Sequence, residues 1–442
     1  LDRLNIRCRL PEGQIPQAGA LLVNQSTVDL LTKANFSHYQ MLYEVEKTFK
    51  RWSPAIFLGY SNINFDDEML RKEFFKCLRQ PYLTNTNGNK RQDGLNIVRA
   101  AFAVNNKVMK TELNDKGNAI MKLESLARMN GIESSGAHNA LFDANLTKLV
   151  LKKIYKEQNV TWRSAMLTGS REEVENFARN EYMFSLNEYF YGKSKLYLVA
   201  PLHHEYMFHP IYKWIQAFDL RFDPKIYFDL SLSELKTEII KTPKFLRTIR
   251  SNKAPVLLHA DYSFRTEPYL AMNREQLLNR ARLVKNNKSF CEKISFALQE
   301  IAEEKINNNN QSDITPEESI YVKFVDNKEN PKMEKWHRAT WEEKLILLDN
   351  FKDERLIDFG KKIIYQEAPQ VLPDGMFKQI KRGIAQRILS TNKEKWTTCA
   401  DFFTECDYFR NQFENEGNKE KLKFLNEINQ FVEGIQKKYE AA

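Results

Sequence analysis

Cysteine is scarce in this sequence of 442 residues: there are five, and no two of them have Cys-x-x-Cys spacing. Their scatter gives no signal of a disulfide framework or of a zinc site, so we interpret them as small apolar residues. Long apolar runs are also lacking, because a stretch such as 196–202 is far shorter than the roughly 20 residues that a membrane-spanning helix needs. No secretory leader opens the sequence, and we therefore expect a cytoplasmic protein.

The charge is positive but not extreme. The formal net charge is +9 with a sequence pI near 9.0, which favours an anionic partner without identifying it. An apolar content of 42% over this length allows two or three domains, each with its own core.

The first part of the sequence predicts an α/β domain that ends near residue 158. Apolar and polar residues alternate over 3–10, which predicts a half-buried strand, and the apolar run 55–59 predicts a second strand. Helical periodicity predicts further elements at 39–52, 66–78, 95–104, 121–129 and 140–156. Strands that alternate with helices are typical of an α/β domain.

The remaining sequence predicts a β-rich region and then a helical one. Strand candidates lie at 195–202, 212–218 and 254–260, and the polar run 303–312 has the composition of a solvated linker. Thr315 and Thr340 each precede a glutamate by three residues, which predicts two capped helices. We therefore predict domains at 1–158, 159–302 and 303–442.

Two short segments contain the candidate catalytic residues. In the first, an apolar strand leads through a polar loop into Asp66, Asp67 and Glu68 at a predicted helix start, where carboxylates are electrostatically favoured. In the second, His138 lies at a helix entrance and Asp143 follows five residues later. Each segment alone also fits a structural role, as a helix cap or as a hydrogen-bonding histidine.

Together, these residue types fit phosphodiester hydrolysis. Asp66 and Asp143 are suitable ligands for a pair of divalent cations, which stabilise the attacking and the leaving oxygens. His138, whose ordinary pKa is near neutrality, is suited to be a general base.

The order and spacing of these residues resemble the DEDDh exonuclease superfamily, and most closely the exodeoxyribonuclease I family. The resemblance rests on Leu-Gly-Tyr-Ser-Asn-x-x-Phe-Asp-Asp-Glu at 58–68, Lys-Leu-Glu-Ser-Leu-Ala at 122–127, and Ala-His-x-x-x-x-Asp at 137–143. It extends into the second region through 198–202 and 250–257. The implied fold is a ribonuclease H-like α/β exonuclease domain without its first strand, then a small SH3-like β-rich domain and an α-helical C-terminal domain.

The resemblance also implies roles for individual residues. Asp66 becomes the third acidic residue of the site and Asp143 the fourth, both metal-binding, and His138 becomes the base. Lys122, Arg71 and Asn62 become candidate contacts to nucleic acid, with a solvated surface position as the alternative for each. Two Mg²⁺ ions are implied as cofactors, with Mn²⁺ as an alternative, because the ligands are oxygens.

The sequence departs from the family in one respect. The family carries an Asp-x-Glu pair on its first strand, and no such pair precedes Leu4. We interpret the sequence as an N-terminally truncated fragment and expect it to have little nuclease activity alone, because two metal-binding carboxylates are missing.

Aromatic and basic residues are the candidates for holding DNA. Those between Tyr182 and Tyr197 suit base stacking, with a place in the domain core as the alternative. A basic cluster from Lys241 to Lys253 is another candidate for holding DNA, with a solvated strand and turn as the alternative. The family suggests that a basic surface can also receive the acidic tail of single-stranded-DNA-binding protein. His203, His204 and His209 are not interpreted as a metal site, because the sequence shows no carboxylate that completes a ligand set.

The leading functional prediction is a monomeric 3′→5′ exonuclease that hydrolyses single-stranded DNA to nucleoside 5′-monophosphates in repair and recombination. A 3′→5′ exoribonuclease and a catalytically inactive protein that binds single-stranded nucleic acid remain the alternatives.

Overall fold

A computed structural model describes residues 2–134, 140–308 and 314–441. The helices, in chain order, are α1 (Ala18–Asn24), α2 (Val28–Thr32), α3 (His38–Trp52), α4 (Asp66–Lys76), α5 (Gly94–Val104), α6 (Leu123–Met129), α7 (Ala140–Glu157), α8 (Asn159–Met166), α9 (Arg171–Asn180), α10 (Lys225–Phe228), α11 (Leu232–Ile240), α12 (Arg274–Asn286), α13 (Lys288–Asn308), α14 (Asn330–Arg338), α15 (Trp341–Leu347), α16 (Glu354–Glu367), α17 (Asp374–Ile388), α18 (Cys399–Asn415) and α19 (Lys419–Glu440). The strands are β1 (Ile56–Gly59), β2 (Lys90–Asp93), β3 (Phe184–Phe190), β4 (Lys193–Pro201), β5 (Ile215–Asp219), β6 (Leu246–Ile249) and β7 (Leu257–His259). None of the described helices combines the length and the apolar content needed to cross a bilayer.

The strands form two sheets. β1 and β2 pair in parallel, with Gly59 opposite Asp93 at their carboxyl ends. The other sheet is antiparallel with the order β6-β5-β4-β3-β7, and β3 and β4 are joined by a hairpin in which Phe190 pairs with Lys193. The two turn residues, Tyr191 and Gly192, both have positive φ angles, 49° and 80°. Such two-residue turns match the right-handed twist of the strands that they connect.

The chain divides into two compact units. One comprises residues 53–68 and 84–313 and contains both sheets, whereas the other comprises 1–52, 69–83 and 314–442. The boundaries predicted from the sequence at 158 and 302 remain a prediction.

The sheet-containing unit has two main cores. In one, the apolar faces of α5, α6 and α7 pack together with Leu196, Val256 and Leu258. In the other, β4, β5 and β6 bury Leu198, Phe218 and Leu246 against α11, α12 and α13. Helices and strands therefore share both cores, as expected for a mixed α/β fold.

The other unit is mainly helical. Trp336 of α14 is fully buried and donates from its indole Nε1 to the carbonyl oxygen of Lys344 at 2.9 Å, which satisfies its one polar atom. A separate core forms between α1, α17, α18 and α19. The predicted cap at Thr340 is confirmed, because Thr340 and Glu343 form a reciprocal capping box at the start of α15.

The predicted mixed α/β fold with a helical C-terminal region is confirmed, but two local predictions are wrong. Residues 3–10 form no strand, and within the described ranges Cys8 makes only an isolated bridge to Phe36, which is too short a pairing to build a ladder. Thr315 does not begin an α-helix, since the chain there forms only the short 3-10 turn Glu318–Tyr321.

Candidate active site

The candidate site begins where β1 ends. After Gly59 the chain turns through Ser61, which has a φ of 62°, and a short 3-10 turn, Asn62–Asn64, before α4 starts at Asp66. All three residues of the first turn, Asp66, Asp67 and Glu68, are acidic. The partial positive charge of the helix N-terminus offsets part of the repulsion between them.

Asp93 fixes the loop that leads to Asp66. Its carboxylate accepts hydrogen bonds from the backbone N–H groups of Ser61 at 2.9 Å, Ile63 at 3.4 Å and Leu95 at 2.9 Å. It therefore caps α5 and anchors the loop after β1 at the same time. Burial raises the pKa of the Asp93 carboxyl, although the backbone donors oppose the rise.

Two of the three carboxylates at the start of α4 are neutralised by cations. Asp67 forms an ion pair with Arg91 at 2.8 Å, and the side chains of both residues are 7% exposed. Arg91 also donates to the carbonyl oxygen of Asn252 at 3.0 Å. Glu68 forms an ion pair with Lys253 at 3.0 Å. These pairs tie the acidic turn to β2 and to the segment before β7.

Asp66 differs from its two neighbours. Asp66 is exposed, and among the described residues no cation lies within ion-pair distance of its carboxylate. Partial desolvation raises the pKa of Asp66, and the negative charges of Asp67 and Asp93 add to the rise. An accessible carboxylate in a locally negative potential is suited to binding a cation.

Asp143 lies on a helix that packs close to this loop. It lies in the first turn of α7 and is half-buried. A Cβ added at Gly94, the first residue of α5, would lie 3.0 Å from the carbonyl oxygen of Gly59 and 3.3 Å from Leu151 of α7. The lack of a side chain at Gly94 therefore lets α7 approach the end of β1.

His138, the predicted base, lies outside the described residues. The convergence of His138 with Asp66 and Asp143 remains a prediction.

The three predicted nucleic-acid contacts have different environments. Lys122 is exposed at the residue before α6, next to Met121, whose carbonyl oxygen accepts from the Tyr60 hydroxyl at 2.5 Å. Asn62 and Arg71 are both buried, so the solvated-surface alternative is wrong for them. The Asn62 Oδ1 atom is buried without a hydrogen-bond partner in the described part of the chain, and the Arg71 guanidinium lies 5.2 Å from the ring centre of Tyr82. Contact of any of the three with nucleic acid stays a prediction.

The predicted aromatic surface between Tyr182 and Tyr197 is split by the structure. Phe184 and Tyr197 are buried in the sheet core, whereas Tyr189, Phe190 and Tyr191 are exposed at the tip of the β3–β4 hairpin. A place in the domain core is therefore the right interpretation for Phe184 and Tyr197 and the wrong one for the three aromatic residues at the tip.

The predicted basic cluster is also divided. Arg247 is buried and forms ion pairs with Asp219 at 3.0 Å and Glu188 at 2.6 Å, so it does not contribute to a basic surface. Lys241, Lys244 and Arg250 are exposed, and the Arg250 guanidinium lies 4.7 Å from the ring centre of Trp214.

The expectation that no carboxylate accompanies His203 and His204 is wrong. Ligand atoms of His203, His204 and Glu205 lie within 4.8 Å of one another, so a carboxylate does accompany the two imidazoles. Glu205 is engaged by Lys288 at 2.7 Å. His209 is separate and structural, because its Nδ1 accepts from the backbone N–H groups of Ile211 and Tyr212.

Sequence reasoning missed Asp93 and Arg91. Asp93 had a recognisable signal, an aspartate directly before the predicted helix that begins near residue 95. Arg91 had none, since its burial and its pairing with Asp67 depend on the parallel pairing of β1 with β2.

The sequence is similar to those of known exonucleases. Residues 314–435 match the family model of the exonuclease I C-terminal domain. Over 152 residues, 34% of the chain, the sequence is 30% identical to exodeoxyribonuclease I of Escherichia coli K12. The chain is related to exodeoxyribonuclease I. The match covers 32% of the length of that curated relative, so the chain spans about a third of it.

The fold agrees with solved exonuclease I structures. The moderately thermophilic exonuclease I of Methylocaldum szegediense superposes with a TM-score of 0.78 at 18% identity, over 99% of this chain and 92% of that one. Exonuclease I of E. coli in complex with a dA16 oligonucleotide gives a TM-score of 0.77 at 20% identity, over 98% of this chain and 92% of that one. The exodeoxyribonuclease I resemblance seen in the sequence motifs is confirmed.

Proposed function

We propose that the protein is a 3′→5′ exonuclease that hydrolyses single-stranded DNA to nucleoside 5′-monophosphates with the help of divalent cations. The observation that carries the proposal is the environment of Asp66, an exposed carboxylate beside two others, of which Asp67 is neutralised by Arg91. Support comes from the relatives named exodeoxyribonuclease I and from a solved exonuclease I that holds a dA16 strand.

The donor set fits a hard divalent cation. Asp66 and Asp143 supply carboxylate oxygens, which suit Mg²⁺ and Mn²⁺ better than soft metals. Partial burial raises the pKa of Asp66, the negative charges of Asp67 and Asp93 add to the rise, and a bound cation would oppose it. Bound divalent ions would stabilise the charge that develops on the attacking and leaving oxygens of the phosphodiester.

The residues of the chain have separate roles in this proposal. Asp66 and Asp143 hold the cations, and Asp93 and the ion pair between Asp67 and Arg91 keep Asp66 in place. His138 takes the proton of the attacking water through a ring nitrogen. Lys122, with Arg71 and Asn62, contacts the strand.

Cation binding can be tested without catalysis. Mn²⁺ binding, measured by electron paramagnetic resonance, is expected to weaken at least tenfold in Asp66→Asn and in Asp143→Asn. Asp115→Asn, an exposed carboxylate in the turn before α6, serves as the matched control and is expected to bind as the wild type does. Equal affinity in all variants would remove Asp66 and Asp143 from the site.

The reaction is tested on the full product of the gene. Strands labelled at the 5′ end are expected to shorten stepwise, with release of nucleoside 5′-monophosphates that EDTA abolishes. Faster degradation of a matched RNA would favour the exoribonuclease, because the 2′-hydroxyl is the distinguishing group. Metal-independent binding with no release of nucleotides would favour a protein that only binds.

The proposed protein partner is single-stranded-DNA-binding protein. An exonuclease I structure has been solved in complex with SSB-Ct. In this chain the exposed cations Lys241, Lys244 and Arg250 are suited to an acidic peptide, whereas the buried Arg247 is not. Fluorescence anisotropy with a labelled acidic tail peptide is expected to show weaker binding to Lys244→Gln and Arg250→Gln, and unchanged binding would place the peptide elsewhere.

A further inference from the structure

The tip of the β3–β4 hairpin presents three consecutive aromatic rings to solvent. Within the aromatic tip, defined as residues 189–193, Tyr189, Phe190 and Tyr191 are 36%, 50% and 89% exposed. The rings of Phe190 and Tyr191 meet edge to face, with centroids 5.4 Å apart. Single exposed aromatics are common in soluble proteins, but a contiguous set indicates a binding surface.

The aromatic tip is held in a defined conformation. Tyr191 and Gly192 form the positive-φ turn, and the Asn118 Nδ2 atom donates to the carbonyl oxygen of Tyr191 at 3.3 Å. A Cβ placed on Gly192 would lie 2.6 Å from that Nδ2 atom, so the turn packs closely against the segment before α6. A rigid surface loses little conformational entropy when it binds a partner.

The surroundings of the aromatic tip are positive. Lys193 and Lys195 are exposed, and within the described part of the chain no carboxylate lies at ion-pair distance from either. The neighbouring Glu188 is neutralised by Arg247 at 2.6 Å. The guanidinium of Arg99 lies 4.1 Å from the ring centre of Tyr189. Aromatic faces among unpaired cations are the combination that binds single-stranded nucleic acid.

Arg99 connects the aromatic tip with the candidate active site in the same unit. It is on α5, six residues after Asp93, which corresponds to about 9 Å along a helix axis. Arg99 is close enough to Asp93 and Tyr60 for their charges to oppose the fall in its pKa that burial causes. Asp93 in turn holds the loop that leads to Asp66.

We propose that the aromatic tip is a base-stacking subsite for the single strand on which the candidate active site acts. The inference rests on the proposed function and goes beyond it, because it assigns recognition of unpaired bases to Phe190 and Tyr191 and recognition of the phosphates to Lys193. Nucleic acid is favoured over an apolar protein surface by the cations around the rings.

The test compares an ordinary strand with an abasic strand of the same length. Affinities are measured by anisotropy in EDTA, so that no cleavage occurs. Tyr191→Ala is expected to weaken binding of the ordinary strand about fivefold, and Phe190→Ala/Tyr191→Ala more than tenfold, because each stacked base contributes on the order of 1 to 3 kcal/mol. Neither change is expected to affect the abasic strand, which keeps the phosphates but has no bases to stack.

Two further variants separate stacking from shape and charge. Tyr191→Trp is expected to bind at least as tightly as the wild type, since it keeps an aromatic face. Lys193→Gln is expected to weaken both strands equally and to reduce the salt dependence by about one released counterion.

The matched control is Tyr408→Ala. Tyr408 is 66% exposed on α18 and does not belong to the unit that contains the aromatic tip and the candidate active site. It is expected to bind both strands as the wild type does.

Three results would overturn the inference in distinguishable ways. If Phe190→Ala/Tyr191→Ala binds the ordinary strand as the wild type does, the aromatic tip is not a subsite, and the proposed function is untouched. If the ordinary and abasic strands lose affinity equally, the rings shape the surface but do not stack. If the wild type binds no strand and the full gene product releases no nucleotides, the inference and the proposed function fail together.

Discussion

Protonation of His337 is expected to destabilise the helical unit below neutral pH. The His337 Nε2 atom lies 2.8 Å from the carbonyl oxygen of Leu78, and Nδ1 lies 2.8 Å from the Tyr39 hydroxyl. A carbonyl oxygen can only accept, so Nε2 carries the hydrogen, and Nδ1 accepts from Tyr39 when the ring is neutral. A second proton on Nδ1 would force the Tyr39 hydroxyl to accept and would place a positive charge in a buried site beside Arg79.

The magnitude follows from the pKa. Burial lowers the pKa of His337 from 6.5 to about 4, and the positive charge of Arg79 adds to the fall. Between these two values the unfolded chain binds a proton that the folded chain does not, so stability is complete above pH 6.5 and is lost as the pH falls toward 4. At about 1.4 kcal/mol for each pH unit, the loss reaches about 2 kcal/mol at pH 5 and about 3 kcal/mol at pH 4.

The assay is urea unfolding at pH 7.5, 6 and 5, compared between the wild type and His337→Gln, which does not titrate. The variant is expected to be less stable at pH 7.5, and its deficit is expected to shrink by about 2 kcal/mol by pH 5. His204→Gln, in which an exposed imidazole is removed, controls for general effects of losing a histidine. A deficit that stays constant over this pH range would refute the assignment of a buried neutral imidazole.

Three other substitutions have expected effects on the free energy of unfolding. Asp67→Asn removes the carboxylate that pairs with the buried Arg91 and is expected to lower the free energy of unfolding by about 3 to 5 kcal/mol. The double variant Asp67→Leu/Arg91→Met is expected to recover part of this loss, and a loss equal to that of Asp67→Asn would contradict the pairing. Gly192→Ala is expected to lose about 1 to 2 kcal/mol by thermal denaturation, because the turn needs a φ of 80° and Asn118 occupies the space for a Cβ. Thr340→Ala removes half of a capping box and is expected to cost about 1 kcal/mol in urea, whereas an unchanged midpoint would show that the cap contributes nothing.

The sequence predicted elements whose stability is local better than those that depend on distant partners. Helices α3, α5 and α7 were predicted within two residues at each end, because helical periodicity and capping depend on residues that are close together in the sequence. β2 was missed because Lys90–Asp93 consists entirely of polar residues, yet three of the four are buried. Its strand conformation comes from pairing with β1 and from the ion pair with Asp67.

In the candidate site, too, features with a local sequence signal were predicted and features that depend on distant residues were not. Asp66 was identified from a run of three carboxylates and from the family resemblance. The burial of Asn62 and Arg71 was not predictable, since it depends on packing with residues far away in sequence. The support that Asp93 gives to the Asp66 loop depends on the register that sets Gly59 opposite Asp93.

In the β3–β4 hairpin, the side chains at the turn do not take part in the interactions that stabilise the hairpin. The bond from Asn118 reaches a backbone oxygen of Tyr191 and not its ring, and the core contacts of β3 come from residues nearer the start of the strand, such as Phe184 and Leu186. The side chains at 190 and 191 can therefore vary with little penalty to folding, provided that residue 191 tolerates a positive φ. Substitutions at this turn, whether natural or engineered, can therefore change the affinity for a ligand without altering the fold.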